Sequence, residues 1–262
     1  MLWSAGPDRD VPVAEPELHP PHAPLPTYYG GPDERRAWLR DLFSRTAPDY
    51  DRVERAMALG SGAWYRRRAL REAGLDLGMT VVDVGVGTGL VAAEAARIVG
   101  DPTLVTGVDP SPGMVAQAKV PAGVRLLEGT AERLPLADAS TDFLSMGFAL
   151  RHVDDLGRAF GEFHRVLRAG GRLCVLEITR PESRLARALL KAYLRGVVPW
   201  LAARVGRHAD TPQLMRYYWD TIEACVPPAD VLSRLRGAGF IQVERQVDLG
   251  MFSAFRARKA AQ

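Results

Sequence analysis

Between residues 80 and 178 short apolar runs alternate with stretches of helical period. Thr80-Val81-Val82-Asp83-Val84 is a β-branched run, and Leu90 to Val99 follows with helical spacing. Thr103 to Val108 reads as a second strand and Pro112 to Lys119 as a helix. Val124 to Leu127 and Asp142 to Gly147 are further strands. Leu156 to Leu167 is an amphipathic helix stopped by Ala169-Gly170-Gly171, and Arg172 to Ile178 is a fifth strand. Strands that alternate with helices of this length predict an α/β fold, a parallel sheet covered on both faces. After Pro181 a long helical region runs from Ser183 to about Gly206, interrupted at Pro199, and Ala229 to Ala238 is another helix. Ile241 to Gln246 and Met251 to Arg256, separated by Asp248-Leu249-Gly250, predict an antiparallel hairpin.

The chain before residue 80 has a different texture. Pro7, Pro12, Pro16, Pro20, Pro21, Pro24 and Pro26 punctuate the start. Each removes an N–H and biases its predecessor towards extended backbone, so residues 1–31 read as a disordered or extended tail. From Pro32 the spacing of Trp38, Leu39, Leu42 and Phe43 predicts a helix, with Asp33 and Glu34 in its first turn where the helix dipole favours them. Two more helices are expected over Asp51 to Leu59 and Ala63 to Ala73, the second carrying Arg66, Arg67, Arg68 and Arg71 as a solvated face.

Composition narrows the function classes. Lys and Arg exceed Asp and Glu by three in 262 residues, and no basic block stands out, so nucleic acid is not an expected partner. Cys174 and Cys225 alone cannot build a disulfide framework, which fits a reducing compartment. No apolar run approaches about 18 residues, so a spanning helix is not expected, nor is a signal peptide at the N-terminus. A cytoplasmic enzyme with one core is the expectation.

The chemistry concentrates where the first strand ends. In Asp83-Val84-Gly85-Val86-Gly87-Thr88-Gly89-Leu90 an apolar strand enters a glycine-rich turn and a helix opens behind it. Glycines there admit positive φ and close approach of a ligand, and the helix N-terminus offers free N–H groups. A dinucleotide fingerprint would place its third glycine at position 90, which is Leu90; the glycine stands at Gly89 instead. Asp109 closes the second strand 20 residues after Gly89, about the offset at which an acid meets ribose hydroxyls in nucleotide-binding α/β folds.

The pattern Asp-x-Gly-x-Gly-x-Gly resembles the first motif of class I S-adenosylmethionine methyltransferases. Phe43-Ser44-Arg45-Thr46-Ala47-Pro48-Asp49-Tyr50-Asp51 is similar to the entry segment of the ubiquinone/menaquinone biosynthesis C-methyltransferase family. Gly147 to Val153 resembles that family's FGLRNV stretch, Arg165 to Leu173 its RVLKPGGRL, and Leu176 to Pro181 its LEFSKP. The likeness spans roughly residues 40–257. It departs at His152, where the family usually has Asn, and at Ala149, where it usually has Gly.

The resemblance implies a Rossmann-like, seven-stranded, mostly parallel sheet with an antiparallel C-terminal hairpin, a helical N-terminal extension and a helical lid insert. The domain would cover 32–262, with the lid at 183–225. It implies S-adenosyl-L-methionine as cofactor and no metal, held by Asp83, Gly85, Gly87, Thr88, Gly89 and Asp109, with Thr130, Ala131 and Gly147 closing over adenine and methionine. The acceptor would be a small-molecule or lipid-soluble aromatic substrate, such as demethylmenaquinol or a ubiquinone precursor. Arg151, His152 and Tyr50 are the candidate catalytic residues: Arg151 to stabilise a phenolate, His152 as a base, Tyr50 to stack on the ring or bond its hydroxyl. A methyltransferase of another small secondary metabolite and a non-catalytic S-adenosylmethionine-binding protein are the rival readings. A homodimer is compatible with all three.

Arg184, Arg187, Lys191 and Arg195 recur at three- and four-residue steps, with Leu185, Leu189 and Ala192 on another face and Val197-Val198-Pro199-Trp200-Leu201 following. Such a helix suits either a lid over the site or peripheral contact with the inner face of a membrane.

Overall fold

The computed structural model describes residues 19–57, 60–205 and 208–261. One seven-stranded sheet organises it: β1 (Val81–Val84), β2 (Val105–Asp109), β3 (Arg125–Glu128), β4 (Thr141–Gly147), β5 (Leu167–Ile178), β6 (Phe240–Asp248) and β7 (Phe252–Lys259), in the order β3-β2-β1-β4-β5-β7-β6. The first five run parallel, and β7 inserts antiparallel between β5 and β6. All four residues of β1 are buried, as expected of a central strand covered on both faces. Val81 pairs with Val105 on one side and Phe143 on the other, which brings the ends of β1, β2 and β4 together at one rim.

The helices are α1 (Pro32–Met57), α2 (Gly62–Glu72), α3 (Leu90–Val99), α4 (Pro112–Ala116), α5 (Leu156–Val166), α6 (Arg184–Ala192), α7 (Val198–Val205), α8 (Thr211–Ala224) and α9 (Pro228–Gly237). On one face of the sheet Phe160, Phe163 and Val166 of α5 pack with Val231 and Leu235 of α9. On the other, Leu70 of α2 and Val91, Ala95 and Ile98 of α3 cover β1 and β2. A third cluster joins Leu42 and Val53 of α1 to Leu190, Leu194, Val198, Leu214 and Trp219, so α1 and α6–α8 form one helical layer above the rim.

Several elements differ from the sequence reading. The two helices expected across 33–43 and 51–59 are one helix, α1, with Pro48 inside it; residues 58–59 lie outside the described residues. Pro48 removes one backbone donor, but neighbouring positions are tied down. Thr46 Oγ1 donates to the Leu42 carbonyl at 2.7 Å, and buried Asp49 accepts from His208 N and Thr211 Oγ1. The break expected at Pro199 falls just before it, as a π-helical turn over Tyr193–Val197. A proline there denies the Arg195 carbonyl its donor, and the widened turn absorbs the loss. α5 ends at Val166, ahead of the expected stop at Ala169-Gly170-Gly171, and Gly170 lies within a bulge of the long β5, because Thr141 pairs with Leu167 whereas Phe143 pairs with Arg172.

Arg66 departs from the solvated face predicted for its helix: it is buried and ion-paired with Glu54 of α1. The tail expected to be loose is docked over its described part. Val226 N donates to the Pro21 carbonyl at 2.8 Å, Tyr28 Oη donates to Asp220 Oδ2 at 2.7 Å, and His22 and Tyr29 are buried. Residues 1–18 lie outside the described residues.

Candidate active site

The turn after β1 is built by its glycines. Gly85, Gly87 and Gly89 have φ of +68°, +54° and +89°, a region that costs any residue with a Cβ. A Cβ at Gly85 would also come within 2.6 Å of the Ala149 Cβ, so the turn and the end of β4 close on each other only because that position is bare. Gly85 N and Val86 N donate to the Val108 carbonyl, which fixes the turn to β2. Gly89 then caps α3.

Asp109 sits across this cradle at the tip of β2. Its Oδ2 accepts from Gly87 N and its Oδ1 from Ser111 N, both at 2.8 Å. Each oxygen keeps a lone pair for a further donor, the arrangement a vicinal diol requires. Burial pushes its carboxyl above the ordinary value, and the two N–H bonds oppose that shift.

A cavity of about 540 Å³ runs from this cradle under the helical layer, within the range of roughly 300–1,000 Å³ typical of small-molecule sites. One end is lined by Gly85, Gly87, Asp109, Met114, Glu128, Thr130, Ala131 and Gly147. The other is aromatic: Phe43 and Tyr50 from α1, His152 from the turn after β4, and Tyr218 from α8. Between them Phe148 holds φ at +60°, a strained value for a bulky side chain, while its N–H donates to the Leu176 carbonyl at 2.7 Å.

Most of the residues expected from the sequence come together here. Gly85, Gly87, Asp109, Thr130, Ala131, Gly147, Tyr50 and His152 all line the cavity. Asp83, Thr88, Gly89 and Arg151 stand behind its wall and support it. Asp83 is buried in β1, accepts from Ser145 Oγ at 2.7 Å, and has its carboxyl pushed up to about 7 by burial. Thr88 Oγ1 is buried with no partner among the described residues, while the Thr88 carbonyl accepts from Lys119 N.

Arg151 corrects the simplest picture of the chemistry. Its side chain is 1% exposed and forms an ion pair with the equally buried Glu177 at the end of β5. The guanidinium stacks 4.7 Å from the Tyr218 ring centre, and Arg151 is not among the residues that line the cavity. His152 lines the cavity and is packed among rings. Its ring lies near-parallel to Tyr217 and Tyr218, at 5.7 and 5.8 Å, with the Phe43 edge at 5.1 Å. Neither ring nitrogen has a partner among the described residues, and burial, reinforced by the Arg151 charge, holds its pKa well below the ordinary histidine value.

Tyr218 and Met114 are lining residues that the sequence reading did not assign. Only the aromatic run Tyr217-Tyr218-Trp219 hinted at the former, and no spacing said which ring faces the site.

The glycine cradle and the diol-ready Asp109 fit a nucleoside cofactor. A sequence model described as the ubiE/COQ5 methyltransferase family matches residues 32–259. The chain is 33% identical over 216 residues to the demethylmenaquinone methyltransferase of Chlorobaculum tepidum, covering 80% of this chain and 86% of that one. It is 36% identical over 212 residues to the ubiquinone/menaquinone biosynthesis C-methyltransferase of Rubrivivax gelatinosus, covering 80% and 82%. Among solved structures it resembles a methyltransferase from Thermotoga maritima, described as S-adenosylmethionine-dependent and a possible histamine N-methyltransferase. There the TM-score is 0.58 and the identity 26%, over 84% of this chain and 98% of that one.

Proposed function

The chain belongs to the ubiE/COQ5 methyltransferase family and is an S-adenosylmethionine-dependent methyltransferase, and from that premise we propose that it methylates a ring carbon of a lipid-soluble hydroquinone. The observation that carries this reading is the continuity of one cavity from the Asp109 cradle to an aromatic end made by Phe43, Tyr50, His152 and Tyr218. An electron-rich ring fits that end by stacking and edge contacts.

Gly85, Gly87, Asp109, Thr130, Ala131 and Gly147 would hold the cofactor, with Asp83, Thr88 and Gly89 fixing the cradle from behind. The cofactor supplies, when bound, a methyl group activated on a sulfonium. Everything else falls to the chain. Phe43 and His152 orient the ring, the layer above the rim excludes water, and Tyr50 meets a ring oxygen. His152, kept neutral by burial and by Arg151, is a poor proton carrier, so the ring hydroxyl gives up its proton to bulk water before the layer encloses it. Loss of that proton raises electron density on the neighbouring ring carbon, and the hydrogen which that carbon carries must afterwards leave as a proton, with the oxygen reprotonated, for the methylated ring to regain its aromaticity.

The acceptor's solubility bears on where the enzyme works, since a prenylated ring resides in lipid. No helix among the described residues is long and apolar enough to cross a membrane. Yet Leu185, Leu189, Val197 and Trp200 are 49–70% exposed along α6, α7 and the π turn between them, with Arg184 and Arg195 beside them and Arg204 stacked on Trp200. The opposite face, Leu190, Leu194 and Val198, is buried against α1 and α8. The helical layer thus suits both roles at once, a lid below and a membrane-surface contact above, on the cytoplasmic side. Arg187 and Lys191 pair with Glu223 and serve the lid.

Assaying the purified protein against reduced, demethylated quinols of short and long chain, alongside soluble phenols and catechols, tests the reading. Turnover of the quinols is the expected result. Turnover confined to small phenols would favour a secondary-metabolite acceptor, and cofactor binding without any turnover would leave a binding protein.

A further inference from the structure

The aromatic end of the cavity holds two phenols in direct contact. Tyr218 Oη donates to Tyr50 Oη at 2.9 Å, and both rings line the cavity. A phenol has one O–H. Tyr218 spends its own on this bond, whereas Tyr50, as the acceptor, keeps a hydrogen with no acceptor among the described residues. The pair therefore ends in one unused donor at the acceptor end of the cavity.

The polar side chains packed against the dyad's rings, Arg151 and His152, are otherwise engaged or covered. The Arg151 guanidinium is enclosed by Glu177 and the Tyr218 ring, and the His152 nitrogens are covered. What Arg151 does reach is Tyr218, whose ring it stacks upon, and Glu177 in turn fixes Arg151 by accepting from its side chain and, through Oε2, from its backbone N–H at 3.4 Å.

We propose that Tyr50 and Tyr218 form a hydroxyl dyad in which Tyr50 donates to the ring oxygen of the acceptor, and that Tyr218, held by Arg151, is the positioning residue that strengthens this donor. The inference rests on the aromatic-acceptor reading above and adds a residue from the lid helix α8 to the site. Hydrogen bonds in series polarise one another, and in a water-excluded pocket each is worth more than in solution. A Tyr50 hydroxyl that accepts from Tyr218 is a better donor than an isolated phenol.

Burial keeps both phenols above their ordinary pKa, with the Arg151 charge acting in the opposite sense, so at neutral pH the dyad donates and neither member serves as a base. The acceptor's hydroxyl proton is lost to bulk water before the pocket closes, and the dyad stabilises the phenolate oxygen that enters. Because Tyr218 belongs to α8 while Tyr50 belongs to α1, the donor is complete only when the two helices are packed as they are here.

The test uses 4-nitrophenol, whose ionised form absorbs visible light, titrated with pH in the presence of the full-length protein and S-adenosylhomocysteine. In Tyr218→Phe the pKa of the bound phenol should rise by about one unit, which is roughly tenfold less phenolate at fixed pH. Turnover of the best acceptor should fall about 10- to 100-fold in kcat with KM within about twofold, the split expected when a transition-state donor is weakened. Tyr28→Phe is the control. It removes a hydroxyl bond to Asp220, two residues along α8, and does not line the cavity. That variant should leave the phenol's ionisation at the wild-type value. An unshifted titration in Tyr218→Phe, or an equal shift in Tyr28→Phe, would overturn the dyad. Should the wild type methylate no hydroquinone, the acceptor reading fails, and the phenol titration still decides whether the dyad stabilises a bound oxyanion.

Discussion

At the residue scale, two aspartates on neighbouring strands have been given opposite duties by their surroundings. Asp109 is anchored by two backbone N–H groups and borders the cavity, so it can remain an acceptor for ribose hydroxyls. Asp109→Ala should weaken S-adenosylmethionine by about 1–3 kcal/mol in a calorimetric titration, the usual value of bonds to a charged group; unchanged affinity would contradict the site. Asp83 is sealed within β1 and its carboxyl is pushed up to about 7. Between pH 4 and pH 7 the folded protein therefore retains a proton that the unfolded chain has lost, and stability falls as pH rises across that window. The whole effect is about 4 kcal/mol, three units at about 1.4 kcal/mol each. Asp83→Asn removes it. Denaturant unfolding should show the variant gaining on the wild type from pH 4 to pH 8, whereas a difference independent of pH would exclude this origin.

At the scale of elements, what could be foreseen is what is local. The alternation of apolar runs and helical periods specifies the strands, and the glycine turn specifies the cradle, because each depends on neighbours a few residues away. Arg151 and Tyr218 illustrate the remainder. Nothing near Arg151 in the chain says that Glu177, 26 residues on, encloses it. Tyr217 and Tyr218 are adjacent and chemically alike, yet one packs under Tyr28 and Trp38 while the other lines the cavity. Pro48 misleads for the same reason, since distant contacts of Asp49 stabilise a helix that local propensity would end. The outer face of α6 and α7 is where an element-level prediction belongs. Co-sedimentation with anionic vesicles at low salt should capture the protein, and high salt or neutral vesicles should release it, since surface charges are screened within about 8–10 Å at ordinary ionic strength. The double variant Leu189→Ser with Trp200→Ser should lose the binding. Retention of vesicle binding in that variant would assign the contact to another face.

At the scale of the whole molecule, the sheet and the helical layer divide the work. The rim of the sheet carries the cradle, and α1 with α6–α8 carries the aromatic end and the exposed stripe. The Ser44 and Ser111 hydroxyls, 3.0 Å apart, join the two halves where α1 meets α4, beside the loop that anchors Asp109. Cofactor cradle and acceptor pocket are thereby held in one frame, as transfer between two bound molecules demands. The transferred methyl should arrive on a ring carbon. Transfer from S-adenosylmethionine isotopically labelled in its methyl group to a short-chain demethylated hydroquinone, followed by NMR of the product, reads this directly. The label is expected as a methyl on an aromatic carbon next to a hydroxyl-bearing one. A label found as a methoxy group, or absent from the quinol altogether, would contradict it.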